Sequence, residues 1–218
     1  SRNERTLSAN NAAPEFVAGK NDWPGGSPRE PSDVLAKMRN NYIGDVSVEL
    51  RDPINLDFRP QPGSRLIDAG YVVQPEDVTW KKTVVTGIER VIGDAPDIGA
   101  YEYGDTTYWI PGFQYAEASI PIPPDGTRTA KSDCSLMWLC GYESDRHHVY
   151  FGTSEGEVVS ATMDSPMFQG EFEGESNIFE PGPLEFGRNY YWRVDAVTAI
   201  AIVPGPVWEF GVVATSTQ

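Results

Sequence analysis

The sequence of 218 residues contains two cysteines, few basic side chains and no long apolar run. Two cysteines cannot form the framework of a disulfide-stabilised protein. No run approaches the length of about 18 apolar residues that crosses a bilayer. Seventeen lysines and arginines against 32 aspartates and glutamates give a net charge of −15. Because nucleic acids and anionic membranes are bound through basic patches, we expect neither as a partner.

Motifs for catalysis are also missing. The two histidines, His147 and His148, are neighbours, and neighbouring residues of a strand point to opposite faces of a sheet. We therefore interpret them as ordinary surface or strand histidines rather than a metal-binding or acid–base pair. The Pro-Gly-Gly segment at 24–26 lacks the lysine of a phosphate-binding loop. We expect this chain alone to have no catalytic activity.

The sequence contains 21 glycines and 18 prolines, which favours a β-rich protein with many turns. Its composition changes around residues 108–124, and a boundary near residue 115 predicts two domains, 1–114 and 115–218. The second domain has 5 basic and 15 acidic residues, a net charge of −10. Most of the acidity therefore belongs to the second domain.

Short strands separated by turns are predicted for the second domain. The clearest alternation places Tyr190, Trp192 and Val194 on one face. The predicted strands are 120–122, 134–140, 147–152, 167–170, 177–179, 190–197 and 207–212. Seven short strands in about 100 residues indicate a two-sheet sandwich. The predicted core residues are Leu136, Trp138, Val149, Phe151, Tyr190, Trp192, Val194, Trp208 and Phe210.

The two cysteines fall on one predicted strand. Six residues of strand span about 20 Å, whereas a disulfide needs Cα atoms within about 7 Å. We therefore expect Cys134 and Cys140 to be thiols.

The second domain also contains a predicted tyrosine corner, formed by Leu184, Gly187 and Tyr190 at three-residue spacing. Together with the segments YYWRVDA (190–196) and VWEF (207–210), this motif gives residues 118–213 a resemblance to a fibronectin type III-like module. Such modules are appended to secreted bacterial polysaccharide-degrading enzymes. The resemblance implies a spacer, adhesion or sugar-binding role without catalysis.

The first domain contains a predicted short helix after the Pro-Ser-Asp segment at 31–33 and two informative loop segments. The segments LDFRPQPGSRLIDAG (56–70) and APDIGAYEY (95–103) resemble the closing stretch of bacterial right-handed parallel β-helix proteins. The resemblance implies a terminal coil and cap, with the catalytic β-helix of the same parent protein upstream as its partner. The predicted fold is thus mainly β: a β-helix end with loops and one short helix, followed by a seven-stranded immunoglobulin-like sandwich.

Aromatic side chains outside the alternating pattern are candidates for carbohydrate binding, because sugar rings stack on exposed aromatic faces. Trp23 lies in a loop and is the best of them, whereas Tyr108 and Trp109 lie at the domain junction and have interface packing as an alternative role. The candidates are Trp23, Trp80, Tyr71, Tyr108, Trp109 and Tyr142.

Carboxylates in the first domain allow two interpretations. Aspartates in turns commonly accept hydrogen bonds from local backbone amides. The alternative is a structural calcium ion, the one cofactor considered, since calcium takes six to eight oxygen ligands. The aspartates concerned are Asp57, Asp68, Asp94 and Asp97.

The sequence is best interpreted as the non-catalytic C-terminal end of a secreted or cell-surface polysaccharide-degrading enzyme, with a structural and carbohydrate-binding role. One alternative is that residues 1–108 complete the catalytic β-helix of a polysaccharide lyase or endo-glycoside hydrolase. A second alternative is a cell-surface adhesion module.

Overall fold

A computed structural model of the chain describes residues 42, 44–70 and 91–213. Within them the protein is mainly β, which confirms the predicted class. The chain forms two compact units: the first holds the described residues of 1–50 and 59–103, and the second those of 51–58 and 104–213. The predicted domain limits, 1–114 and 115–218, stay a prediction.

The first half of the described chain has little regular structure. A 3₁₀ helix at Val46–Glu49 precedes strand β1 (Leu50–Asp52), a second 3₁₀ helix (Pro53–Asn55) and strand β2 (Asp57–Pro60). β1 and β2 form a two-stranded sheet. Turns make up the remaining described residues before 115, so a stacked β-helix coil stays a prediction. The predicted helix after residue 33 lies outside the described residues.

A buried carboxylate organises the first unit. Glu49 accepts hydrogen bonds from the Arg65 backbone amide at 2.8 Å, the Arg65 Nε at 2.7 Å and the Ser64 hydroxyl at 3.0 Å. The backbone hydrogen bond of Arg65 contributes most to lowering the pKa of Glu49 to about 2. The turn at 61–65 is thereby fixed by an ionised side chain.

The second unit contains two sheets and a short helix. One sheet has the order β4-β11-β9-β6-β7 with β10 on β9, and the other has the order β3-β5-β8. The elements are β3 (Ser119–Ile122), β4 (Thr127–Ala130), β5 (Leu136–Leu139), β6 (Arg146–Gly152), α1 (Glu155–Val159), β7 (Phe168–Glu173), β8 (Ile178–Phe179), β9 (Asn189–Val197), β10 (Ile202–Val203) and β11 (Val207–Val212). Each predicted strand has a counterpart, whereas β4, β10 and α1 were not predicted.

One hydrophobic cluster is shared by the two sheets. Trp192 on β9 contacts Trp138 on β5 edge to face at 6.4 Å and Trp208 on β11 at 4.7 Å between ring centroids. Phe151 is only partly buried and packs against the cluster. The other predicted core residues are buried, which confirms the strand phase: Leu136, Trp138, Val149, Tyr190, Trp192, Val194, Trp208 and Phe210.

The predicted tyrosine corner is confirmed. The Tyr190 hydroxyl accepts a hydrogen bond from the Glu185 backbone amide at 2.9 Å. Leu184 is buried, and Gly187 has a φ of 70°, a left-handed conformation that favours glycine. The corner therefore holds the start of β9 against the chain that precedes it.

The opposite face of the larger sheet contains a buried ion pair. The Arg193 Nε donates to the Asp195 carboxylate at 2.8 Å. The same guanidinium donates to the carbonyls of Val158 and Val159 at 2.8 and 2.7 Å, and it lies 4.3 Å from the centre of the Tyr150 ring. Arg193 thus satisfies carbonyls at the end of α1, which helices leave unpaired.

Both histidines lie on strand β6, which agrees with the strand alternative of the prediction, but they are buried rather than at the surface. His147 packs edge to face on Trp138, and His148 Nε2 lies 2.9 Å from the Glu171 carboxylate on β7. Ser144 Oγ donates its proton to the Gly141 carbonyl at 2.7 Å and lies 3.0 Å from His147 Nε2. That nitrogen therefore donates to Ser144, and the other ring nitrogen of His147 is buried without a partner.

Stability of the sandwich should depend on pH through His147. Burial, and to a lesser extent the charge of His148, lower the pKa of His147 from 6.5 to about 4. Between pH 6.5 and pH 4 the His147 imidazole is protonated in the unfolded chain but not in the folded chain. The unfolding free energy therefore has its full value above pH 6.5 and falls as the pH decreases toward 4. The loss is of the order of 3 kcal/mol.

Urea unfolding at several pH values between these limits tests the linkage. His147→Phe keeps a ring against Trp138 and cannot titrate, so its unfolding free energy should fall less steeply with acidification than that of the wild type. Parallel curves for the two proteins would show that His147 is not the group responsible.

Candidate functional site

An open groove of about 840 Å³ lies within the second unit. Its wall comes from the irregular segment before β3, from the end of β5 with the turn that follows, and from the chain before β8. The aromatic side chains that line it are Tyr108, Trp109, Phe113, Tyr115 and Tyr142. The groove therefore combines several of the predicted sugar-binding residues.

Two hydrogen bonds, one of them from a side chain, bring two separate segments together in the groove. The Tyr142 amide donates to the Tyr115 carbonyl at 2.7 Å, and the Gln114 side chain donates to the Cys140 carbonyl at 3.3 Å. Residues 113–115 therefore lie beside residues 140–142, and aromatic residues of both segments line one groove.

Asn177 anchors the groove to the sandwich core. It is only 3% exposed, and its side-chain oxygen accepts from the Tyr108 amide at 2.7 Å. Its side-chain nitrogen donates to the carbonyls of Tyr108 and Trp138 at 2.8 and 2.7 Å. Because a buried amide needs such partners, Asn177 fixes the start of the aromatic segment next to β5.

Four of the groove aromatics are exposed. Trp109 is 70% exposed and Phe113 is 74% exposed, and Tyr115 and Tyr142 are also more than half exposed. Phe113 and Tyr115 contact each other edge to face at 5.3 Å. Exposed aromatic clusters of this kind are uncommon on a protein that has no ligand or partner for them. The arrangement provides rigid apolar faces on which a sugar ring can stack.

The structure distributes the predicted sugar-binding residues unevenly. Trp109 and Tyr142 lie exposed in the groove, and their role in sugar binding stays a prediction. Tyr108 lines the groove but its ring is buried, and its hydroxyl donates to the Leu56 carbonyl at 2.6 Å. Tyr108 is therefore a packing residue. Trp23, Trp80 and Tyr71 lie outside the described residues.

Two groove residues, Phe113 and Tyr115, were not among the sequence candidates. Both lie in the segment where the composition changes, and neither belongs to an alternating strand pattern. The signal that selected Trp109 and Tyr142 also applies to them. Exposed aromatics in irregular segments are thus the feature that identifies this groove.

Carboxylates near the groove make it negative. Glu175 lines the groove, and its charge adds to the effect of burial in raising the pKa of the Cys140 thiol to about 11. A hydrogen bond with the Glu143 carboxylate raises the pKa of Tyr142. Both Cys134 and Cys140 are free thiols.

Two of the four aspartates considered for calcium, Asp68 and Asp97, accept hydrogen bonds from backbone amides. Asp68 Oδ1 accepts from the amides of Asp94 and Ala95 at 2.8 and 3.0 Å. Asp97 accepts from the amides of Asp68 and Tyr103 at 2.8 and 2.6 Å. These contacts match the structural interpretation of aspartates in turns.

Asp57, the remaining calcium candidate, is buried and belongs to the second unit, whereas Asp68, Asp94 and Asp97 belong to the first. Within residues 44–70 and 91–213, no group of three His, Cys, Asp or Glu side chains is arranged to hold a metal ion. A calcium site stays a prediction. No helix in this part of the chain is long and apolar enough to cross a membrane.

Comparisons with known proteins find only weak similarity. Neither a family model nor a curated protein matches the sequence. Pectate lyase PelI from Erwinia chrysanthemi, solved in complex with tetragalacturonic acid, is 20% identical over 43% of this chain and 28% of the lyase, with a TM-score of 0.32. FN3tt mut is 11% identical over 45% of this chain and 97% of its own, with a TM-score of 0.29. This chain spans less than a third of the lyase, and both TM-scores are too low to establish a shared fold.

Proposed function

We propose that the second unit binds carbohydrate through the aromatic groove. The observation that carries this proposal is the set of four exposed aromatic side chains along one open groove: Trp109, Phe113, Tyr115 and Tyr142. Sugar-binding sites use such rings because one face of a pyranose ring is apolar while its edge carries hydroxyls. Glu175 and the backbone of the groove provide polar partners for those hydroxyls.

In this proposal the chain is a non-catalytic region of a secreted polysaccharide-degrading enzyme. Support comes from the sequence resemblance of residues 56–70 and 95–103 to the end of bacterial β-helix proteins. Carbohydrate binding by such a region would hold the catalytic part of the parent protein close to its polymer, which raises the effective substrate concentration.

A second candidate function is structural. The exposed apolar rings of Trp109 and Phe113 could equally form a packing surface for another domain of the parent protein, as in the interface role considered for the domain junction. The two functions differ in one measurable respect: a packing surface has no affinity for free oligosaccharides.

Alanine substitution of the exposed rings tests carbohydrate binding. We expect Trp109→Ala and Tyr142→Ala each to weaken oligosaccharide binding by about tenfold or more, because about 1.4 kcal/mol of stacking corresponds to a factor of ten. Isothermal titration calorimetry with cellohexaose, mannohexaose and xylohexaose measures this loss.

Phe186→Ala is the matched control, since Phe186 is an exposed aromatic that does not line the groove. Its affinity should equal that of the wild type. Binding that Trp109→Ala and Phe186→Ala reduce alike, or that neither reduces, would rule out the groove. If the wild type binds no oligosaccharide, the packing function is favoured.

A further inference from the structure

The charge around the groove indicates which kind of glycan the groove accepts. Of the residues that the structure describes, those lining the groove include no lysine, arginine or histidine, and Glu175 is the one carboxylate among them. A second carboxylate, Glu143, lies beside the Tyr142 hydroxyl. A ligand in the groove therefore meets aromatic residues and negative charge, with no cationic group among the described residues of the wall.

The basic side chains of residues 115–218 are also engaged. Residues 115–218 contain five of them, and each has a partner in the folded chain. Arg193 is buried with Asp195, and three further arginines pair with glutamates. The pairs on the surface are Arg128 with Glu209, Arg146 with Glu171, and Arg188 with Glu185, and Lys131 donates to the carbonyl of Arg51.

Recognition of an acidic polysaccharide needs cations, because each uronate carboxylate or sulfate must exchange its hydration for a charge-assisted hydrogen bond. The described residues of the groove supply none, and a net charge of −10 over residues 115–218 repels a polyanion at long range. A neutral sugar loses nothing by this arrangement, since its hydroxyls can donate to carboxylates and its ring can stack on the exposed aromatics.

We infer that the groove selects neutral glycans and rejects uronates and sulfated chains, with Glu175 and Glu143 acting as the rejecting charges. This inference rests on the proposed carbohydrate binding and specifies the substrate class of the same groove. Specificity of this kind comes from a repulsive element set against the wrong ligand rather than from added contacts with the right one.

Matched pairs of oligosaccharides that differ only in charge test the selection. Cellohexaose and mannohexaose are compared with their C6-carboxylate counterparts, the cellouronic and mannuronic hexasaccharides, by calorimetry at low and at high salt. We expect the neutral member of a pair to bind about tenfold or more tightly at low salt. The gap should shrink at high salt, because ions screen repulsion between exposed charges.

Charge-neutralising variants show which groups produce the gap. Glu175→Gln should raise affinity for the uronate about threefold at low salt, and Glu143→Gln should act in the same direction. Glu155→Gln on α1 removes the same charge from an exposed position outside the groove, and it should leave the gap as in the wild type.

The outcomes distinguish failure of the charge selection from failure of the proposed carbohydrate binding. Uronate binding that equals or exceeds neutral binding, and that Trp109→Ala abolishes, leaves carbohydrate binding in place and overturns the selection. If Glu175→Gln and Glu155→Gln reduce the affinity difference between neutral and uronate oligosaccharides equally, the repulsion comes from the net charge. That result also overturns the role given to Glu175 and Glu143. If neither member of any pair binds, the proposed function fails and the inference falls with it.

Discussion

Trp192→Ala is expected to destabilise the sandwich by about 3–5 kcal/mol, the usual cost of removing a fully buried tryptophan. Trp192 is completely buried at the centre of β9, between the rings of Trp138 and Trp208. Alanine at this position would leave a large cavity between the rings of Trp138 and Trp208. These rings cannot move to fill the cavity without losing their own contacts. Because domains of this size have only about 5–15 kcal/mol of stability, the thermal midpoint should fall by about 10 °C or more.

Thermal and urea unfolding followed by tryptophan fluorescence measure the change. Trp109→Ala is the matched control, since it removes the same side chain from an exposed position and should shift the midpoint only slightly. A midpoint that is unchanged in Trp192→Ala would mean that this residue faces solvent, and the strand phase of β9 would then be wrong by one residue.

Arg193→Met is expected to cost about 3–5 kcal/mol, because it leaves the Asp195 carboxylate buried without its counter-charge. It also removes the donors from the carbonyls of Val158, Val159 and Ala161, which lie at and just after the end of α1. The double variant Arg193→Met with Asp195→Leu removes both charges and should recover part of the loss, since an apolar pair of similar volume can replace a buried ion pair.

An exposed ion pair provides the comparison for this prediction. Arg188→Met breaks the contact of Arg188 with Glu185, which lies at the surface, and exposed pairs contribute about 0–1 kcal/mol. Urea midpoints of the four proteins give the ranking. Equal losses for Arg188→Met and Arg193→Met would show that burial of the second pair does not determine its energy.

Strands with an apolar alternation could be predicted from the sequence, because the period of two shows which face carries the apolar core residues. β9 is the clearest case, with Tyr190, Trp192 and Val194 on the core side. β4 has no such pattern: Ala130 is its one buried residue, and the strand exists because it pairs in parallel with β11. The helix α1 has five residues, too few for a helical period to be visible in the sequence.

Burial of polar side chains could not be predicted, because it depends on partners distant in sequence. His147 belongs to a residue type that is often exposed, and its burial follows from the packing of Trp138 and the turn that carries Ser144. The burial of Tyr108 follows in the same way from contacts with Leu56 and with Asn177, which is 69 residues away. For the groove, sequence reasoning identified Trp109 and Tyr142 separately but had no means of placing them together.

The hydrogen bonds of Asn177 make the groove and the core a single cooperative unit. Its amide nitrogen reaches both the Tyr108 carbonyl in the groove wall and the Trp138 carbonyl on β5. Separation of the wall from the sandwich would leave this amide buried and short of partners, so a chain shortened to begin at residue 115 would lose stability as well as the groove. For the same reason, a ligand in the groove raises the unfolding free energy of the whole sandwich by an amount that grows with the ratio of free ligand to Kd, and the thermal midpoint of the sandwich reports on the ligand.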